Sequence, residues 1–114
     1  MTLLVAAVSG QQIWFVADTA VTGPGISLRE REFTKKIEAP TARSIVGFSG
    51  DTHIGQRAMR YLAGIPEGEL ALNHLKEVTK TSTSLEFAYG LSEGESVRLY
   101  RISKGILQNA RHYI

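Results

Sequence analysis

The apolar residues open the chain in two short, unbroken runs. Leu3 to Val8 is apolar at every position, and Ile13 to Ala17 reads Ile-Trp-Phe-Val-Ala, with Ser9-Gly10-Gln11-Gln12 between them. Two such runs flanking a polar turn predict a hairpin, and strands without apolar/polar alternation are covered on both faces. The hairpin therefore needs one layer above it and another below. Val21 to Ile26 carries Gly23-Pro24-Gly25, a turn or loop insertion, and the charged stretch after it reads as a solvated connection. Thr34 to Glu38 and Arg43 to Ser49 are the next strands, divided at Ala39-Pro40-Thr41, where proline stops pairing and supports a turn.

At Gly47-Phe48-Ser49-Gly50-Asp51-Thr52 the pattern changes from strand to helix. Asp51 or Thr52 can cap a helix in which Ile54, Ala58, Met59, Tyr61 and Leu62 share one side, and Gly64 and Pro66 end it. A second helix, about Glu67 to Lys80, places Leu70, Ala71, Leu75 and Val78 on a buried face. Strand patterns return over Leu85 to Leu91, Ser96 to Ile102 and Ile106 to His112, with turns at Ser92-Glu93-Gly94-Glu95 and Ser103-Lys104-Gly105. Antiparallel hairpins with the helices grouped together predict an α+β domain of packed sheets, not an alternating parallel fold.

Composition narrows the chemistry. The 114 residues are 43% hydrophobic and 21% charged, which is the profile of one globular domain spanning residues 1–114. Cysteine is absent, so disulfides, thiolate metal sites and cysteine nucleophiles are excluded. The net charge of +2 decides little. Arg98, Arg101, Lys104 and Arg111 form a one-signed tail that reads as a solvated face and not as a nucleic-acid footprint. His53, His74 and His112 have no ligand spacing, so neither a metal nor a cofactor is expected. No apolar run approaches 18 residues, and Met1-Thr2 leads into a strand without a basic region. The expectation is a cytoplasmic protein with no membrane partner.

Two places could carry chemistry. Gly47-x-x-Gly50-Asp51 has neither the P-loop lysine nor the dinucleotide glycine spacing. It reads as a plain strand-to-helix turn, or as a turn whose backbone N–H groups meet an anion or a developing oxyanion. Ser49 is not a serine-hydrolase elbow, because Asp51 stands where that motif needs glycine. The second place is the N-terminus. Removal of Met1 would leave Thr2 with a hydroxyl and an α-amine, nucleophile and base in one residue. Such a site also needs a cation to keep the amine deprotonated, a carboxylate to hold the cation, and oxyanion donors.

These positions together resemble the N-terminal-nucleophile (Ntn) hydrolases, specifically the proteasome β-subunit and the HslV-like peptidase. The resemblance runs from Thr2-Leu3-Leu4-Val5-Ala6 through Gln12 to Asp18, Thr19-Ala20-Val21-Thr22 and Lys36-Ile37 to Gly47-Phe48-Ser49-Gly50, and more loosely into Ala88-Tyr89-Gly90 and Arg98 to Ile102. Asp18 follows Thr2 by sixteen positions and Lys36 precedes Gly50 by fourteen, as in that family; Lys35 misses by one. The resemblance implies an αββα sandwich of antiparallel sheets and a threonine-type peptidase or amidase. Thr2 would be the nucleophile and, through its amine, the base. Lys36 would tune that amine, Asp18 would orient Lys36, and the Gly50 N–H would bind the oxyanion. Thr22 would pair with the substrate backbone, and Val21 and Phe48 would shape the specificity pocket.

The same resemblance implies a peptide or unfolded-protein substrate and a homo-oligomeric ring open to an ATPase partner. Family members carry further strands and helices, with a supporting serine and aspartate, for which this chain has no counterpart. The expectation is a sandwich truncated here or completed by another chain, with the hairpin otherwise bare on one face. While Met1 is retained the Thr2 amine is an amide and the site inactive. The rival expectation is a non-catalytic subunit that assembles into rings and keeps Asp18, Lys36 and Gly50 as structural residues.

Overall fold

The computed structural model of the chain describes residues 4–9, 12–17, 20–21, 32–33, 36–110 and 112–113. The opening runs form the hairpin their pattern requires. β1 (Leu4–Ser9) and β2 (Gln12–Ala17) pair antiparallel from Leu4↔Ala17 to Ser9↔Gln12. A two-residue ribbon follows, β3 (Ala20–Val21) with β4 (Glu32–Phe33). Then come β5 (Ile37–Thr41), β6 (Ser44–Ser49), α1 (Thr52–Leu62) and α2 (Glu69–Thr81). The chain closes with β7 (Glu86–Glu93), β8 (Ser96–Ser103), β9 (Ile106–Ala110) and β10 (His112–Tyr113).

The fold class is α+β, with every sheet antiparallel. A five-stranded sheet in the order β5-β6-β7-β8-β9 forms the middle layer, and a three-stranded sheet, β10-β1-β2, packs on one of its faces. The two helices pack on the other face. Alternation along β6 and β7 explains why one sheet serves two cores. Val46, Phe48, Phe87, Tyr89 and Leu91 meet Ala58, Met59, Leu62, Ala71 and Leu75 on the helical side. Ala88 and Leu99 meet Leu4 and Ala6 on the hairpin side, with Val8, Ile13, Phe15 and Ile37 around them. Each large side chain fully buried in these cores contributes about 1.5–3 kcal/mol.

Four details differ from the sequence pattern. Pro40 lies within β5 and does not end it; the register shifts between Glu38 and Thr41, and the turn falls at Ala42-Arg43. An edge strand tolerates proline at such an irregularity because no neighbour requires its missing N–H. The run from Ile106 to His112 is two strands, β9 in the middle sheet and β10 beside β1 in the outer one. Tyr61 and Leu70, expected on buried helix faces, are 54% and 56% exposed. Both sit at the margin of their helix's apolar stripe, beyond the reach of the sheet. Finally, the hairpin is covered on its inner face, whereas Trp14, opposite Ala7, is exposed on the outer one.

Candidate active site

The described residues converge on the end of β6. Ile37 pairs with Gly47 across β5 and β6, and the N–H of Phe48 donates to the carbonyl of Lys36 at 3.1 Å, extending that ladder by one step. Lys36 is thereby held beside Phe48, which lies two residues before Gly50. Its side chain is buried, with 1% of the residue exposed. A lysine leaves water at a cost of several kcal/mol unless polar or charged groups receive it. This burial distinguishes Lys36 from the half-buried Lys76 and the exposed Lys80 of α2.

Gly50 ends β6 with φ +115°, in the region that favours glycine. A Cβ there would lie 2.5 Å from the Ser84 carbonyl oxygen and 3.0 Å from Leu85 Cα, so the turn is closed to any other residue. Asp51 follows as the N-cap of α1. Its Oδ1 accepts the N–H of Ile54 at 2.9 Å, which settles the choice between Asp51 and Thr52. Strand end, left-handed glycine and capped helix start are therefore contiguous.

The hairpin meets this turn from the other side. A Cβ on Gly47 would fall 2.8 Å from Leu4 Cδ1 and 3.2 Å from Phe15 Cδ2, so β1 and β2 cross β6 where it has no side chain. At the opposite end of the crossing, Ile13 lies against Gly90. The open end of the hairpin, Leu4↔Ala17, is thus the end toward Gly50. Thr2, Asp18 and Thr22 lie outside the described residues. Val21 is described as a backbone position of β3, paired with Glu32. Phe48 is completely buried on the helical side of β6, its ring against Gly55 and 6.4 Å from that of Phe87.

A polar group on the hairpin-side face of the middle sheet was not foreseen. Ser49 pairs with Glu86, and Glu86 Oε1 accepts from Arg101 Nη2 and from Ser103 Oγ, each at 3.0 Å. Glu86, Arg101 and Ser103 line an open cavity of about 290 Å³ with Lys104, Ile106 and Gln108. The signal was period-two parity: Ser49, Glu86, Arg101 and Ser103 share a face once β6, β7 and β8 are in register. The basic tail is accordingly paired in part, Arg101 with Glu86 and Arg98 with Glu93 at 4.0 Å.

Neither a family model nor a curated protein matches the chain. Solved structures do. A Gly-1 mutant of Anbu from Hyphomicrobium sp. strain MC1 aligns over 99% of this chain with a TM-score of 0.72 at 18% identity. Anbu from the same organism aligns over 99% with a TM-score of 0.70 at 16% identity. The chain spans 59% of the length of each. The likeness carries a proteasome-like fold and does not single out the HslV-like peptidase. The three described layers are consistent with an Ntn-type sandwich.

Proposed function

We propose that the chain carries the nucleophile-bearing half of a threonine-type peptidase or amidase. The observation that carries this reading is the fully buried Lys36, bonded through its carbonyl to Phe48 two residues before the left-handed Gly50. The ends of the hairpin support it. Thr2 is two residues from Leu4, a reach of at most about 7 Å, and Asp18 directly follows Ala17, the partner of Leu4. In this reading Met1 is removed, and the Thr2 hydroxyl attacks a peptide carbonyl while its proton passes to the α-amine, directly or through water. The Lys36 ammonium, oriented by Asp18, keeps that amine unprotonated. The Gly50 N–H receives the oxyanion, a contribution of about 3 kcal/mol. The amine fragment leaves with the proton, and water resolves the acyl-threonine ester.

Substrate recognition follows the same frame. Thr22 pairs with the peptide backbone beside Val21 in the β3–β4 ribbon. Phe48 acts from beneath, by seating α1 through Gly55. The substrate is a peptide or unfolded protein, and the working form is a homo-oligomeric ring in the cytoplasm, open to an ATPase partner. Among the described residues no helix is long and apolar enough to cross a membrane.

One observation favours a second reading. A buried lysine is also what a structural ion pair requires, so a ring-forming subunit without turnover would keep Lys36 and Gly50 for stability alone. Intact mass before and after a peptide epoxyketone separates the two. Loss of Met1 and a single adduct at Thr2, absent in Thr2→Ala, is expected for the peptidase. An unprocessed, unlabelled chain that still forms rings would overturn it.

A further inference from the structure

A second site lies on the opposite face of the molecule, between the helices, and stands independently of the peptidase reading. α1 and α2 are separated by a groove enclosing about 330 Å³. Its walls are one stripe from each helix, Ile54, Ala58 and Tyr61 facing His74 and Val78, with Arg57 at the rim. The Tyr61 and His74 rings stack at 4.0 Å with 25° between their planes. One turn before His74, Leu70 is 56% exposed and prolongs the stripe along α2. Helix margins usually place polar groups at such positions, and an apolar stripe held open to solvent marks an interaction surface.

Charge decides what the groove takes. α1 carries His53, Arg57 and Arg60 and no acidic residue. Among the described residues no acidic side chain lines the groove and Arg57 has no ion pair. Glu77 of α2 is engaged by Lys80 at 3.0 Å. The volume is at the low end for a binding pocket, enough for one anchoring side chain and not for an extended cofactor. We propose that this groove docks an acidic segment of a partner protein, with an aliphatic side chain inserted beside Val78 and Ala58 and a neighbouring carboxylate on Arg57.

The test uses the whole chain and a fluorescein-labelled peptide, Gly-Asp-Leu-Leu-Asp-Gly, followed by fluorescence polarisation and by the ring-proton resonance of His74, assigned through His74→Phe. Binding is expected to move that resonance. Replacing both aspartates by asparagine, or Arg57 by glutamine, removes a charge-assisted hydrogen bond and is expected to weaken binding about ten-fold. Alanine for both leucines weakens it through lost apolar burial. Arg57→Gln is exposed, so its thermal midpoint should stay near that of the parent chain. No binding at about 1 mM peptide, equal binding of the asparagine peptide, an unmoved His74 resonance, or binding of octanoate but not of the peptide would each overturn the proposal.

Discussion

The backbone N–H of Phe48 and the carbonyl of Lys36, 3.1 Å apart, hold a fully buried lysine at the level of the Gly50 turn. Lys36 has a further interaction besides that bond, and a buried ammonium is kept only where polar or charged groups receive it. Lys36→Met keeps much of the stem's volume and removes the ammonium, leaving the groups that receive it unmatched. Urea denaturation should show a loss of about 3–5 kcal/mol. A loss below about 1 kcal/mol would mean that the charge contributes nothing net to the fold.

Gly50 and Gly94 both have positive φ, +115° and +65°, but only Gly50 is enclosed. Nothing stands within 4 Å of a Cβ at Gly94, whereas one at Gly50 meets the backbone of Ser84 and Leu85. Gly94→Ala should cost about 1–2 kcal/mol, the conformational term alone. Gly50→Ala adds a backbone clash and should cost at least about 3 kcal/mol. Equal losses in thermal denaturation would show that β6 relaxes freely at its end.

Asp51 caps α1 where the sequence left Asp51 and Thr52 equivalent. Asp51→Ala should destabilise by about 1 kcal/mol, and Asp51→Asn by much less, because asparagine also accepts the Ile54 N–H. Thr52→Ala should be nearly silent. The reverse order in chemical denaturation would reassign the cap.

His74 carries the one histidine shift resolved among the described residues, its burial lowering the pKa from the ordinary 6.5. The sign follows from proton linkage: the unfolded chain binds a proton at higher pH than the folded one. The contribution of His74 to stability is therefore complete above pH 6.5 and is lost as pH falls through the lowered folded value. His74→Phe keeps an aromatic face against Tyr61 and removes the titration. Between pH 7.5 and pH 5 it should lose less stability than the parent chain, read from urea midpoints. An identical decline in both proteins would assign that acid sensitivity to other groups.

The elements themselves were legible because each is signalled locally. The unbroken runs around Gly10, the capping aspartate before Ile54 and the turn residues at Gly94 and Gly105 state what their own neighbourhoods do. What stayed hidden depends on residues distant in sequence. The sheet switch between Ala110 and His112 has no local marker, since β9 and β10 differ only in the partner they find. Pro40 reads as a stop until β5 is known to be an edge. The Glu86–Arg101–Ser103 group is scattered along the chain and meets only through cross-strand register. For the candidate site, the spacing of Lys36 and Gly50 was readable, but the burial of Lys36 was not.

The contact of Leu4 with Gly47 gives the sharpest test of how the hairpin is seated. Gly47→Ala would place a methyl 2.8 Å from Leu4 Cδ1, and Leu4 is itself 2% exposed, so it has little room to move. Overpacking of this kind costs about 1–3 kcal/mol, and Leu4→Ala alone about 2–5 kcal/mol through the cavity it leaves. If the two side chains compete for one space, the added methyl partly fills that cavity. The double variant should then be at least about 1 kcal/mol more stable than the sum of the single losses predicts. Strict additivity would mean that β1 shifts as a body and that Gly47 does not fix its approach. The crowding of Leu4 in Gly47→Ala would also push the open end of the hairpin away from Gly50. In the peptidase reading, Gly47→Ala should therefore reduce turnover more than ten-fold, because displacements of about 1 Å in a nucleophile cost on the order of 10²-fold. Leu4→Ala in the Gly47→Ala background should restore part of both properties, and recovery of stability without recovery of turnover would separate the seating of the hairpin from the chemistry.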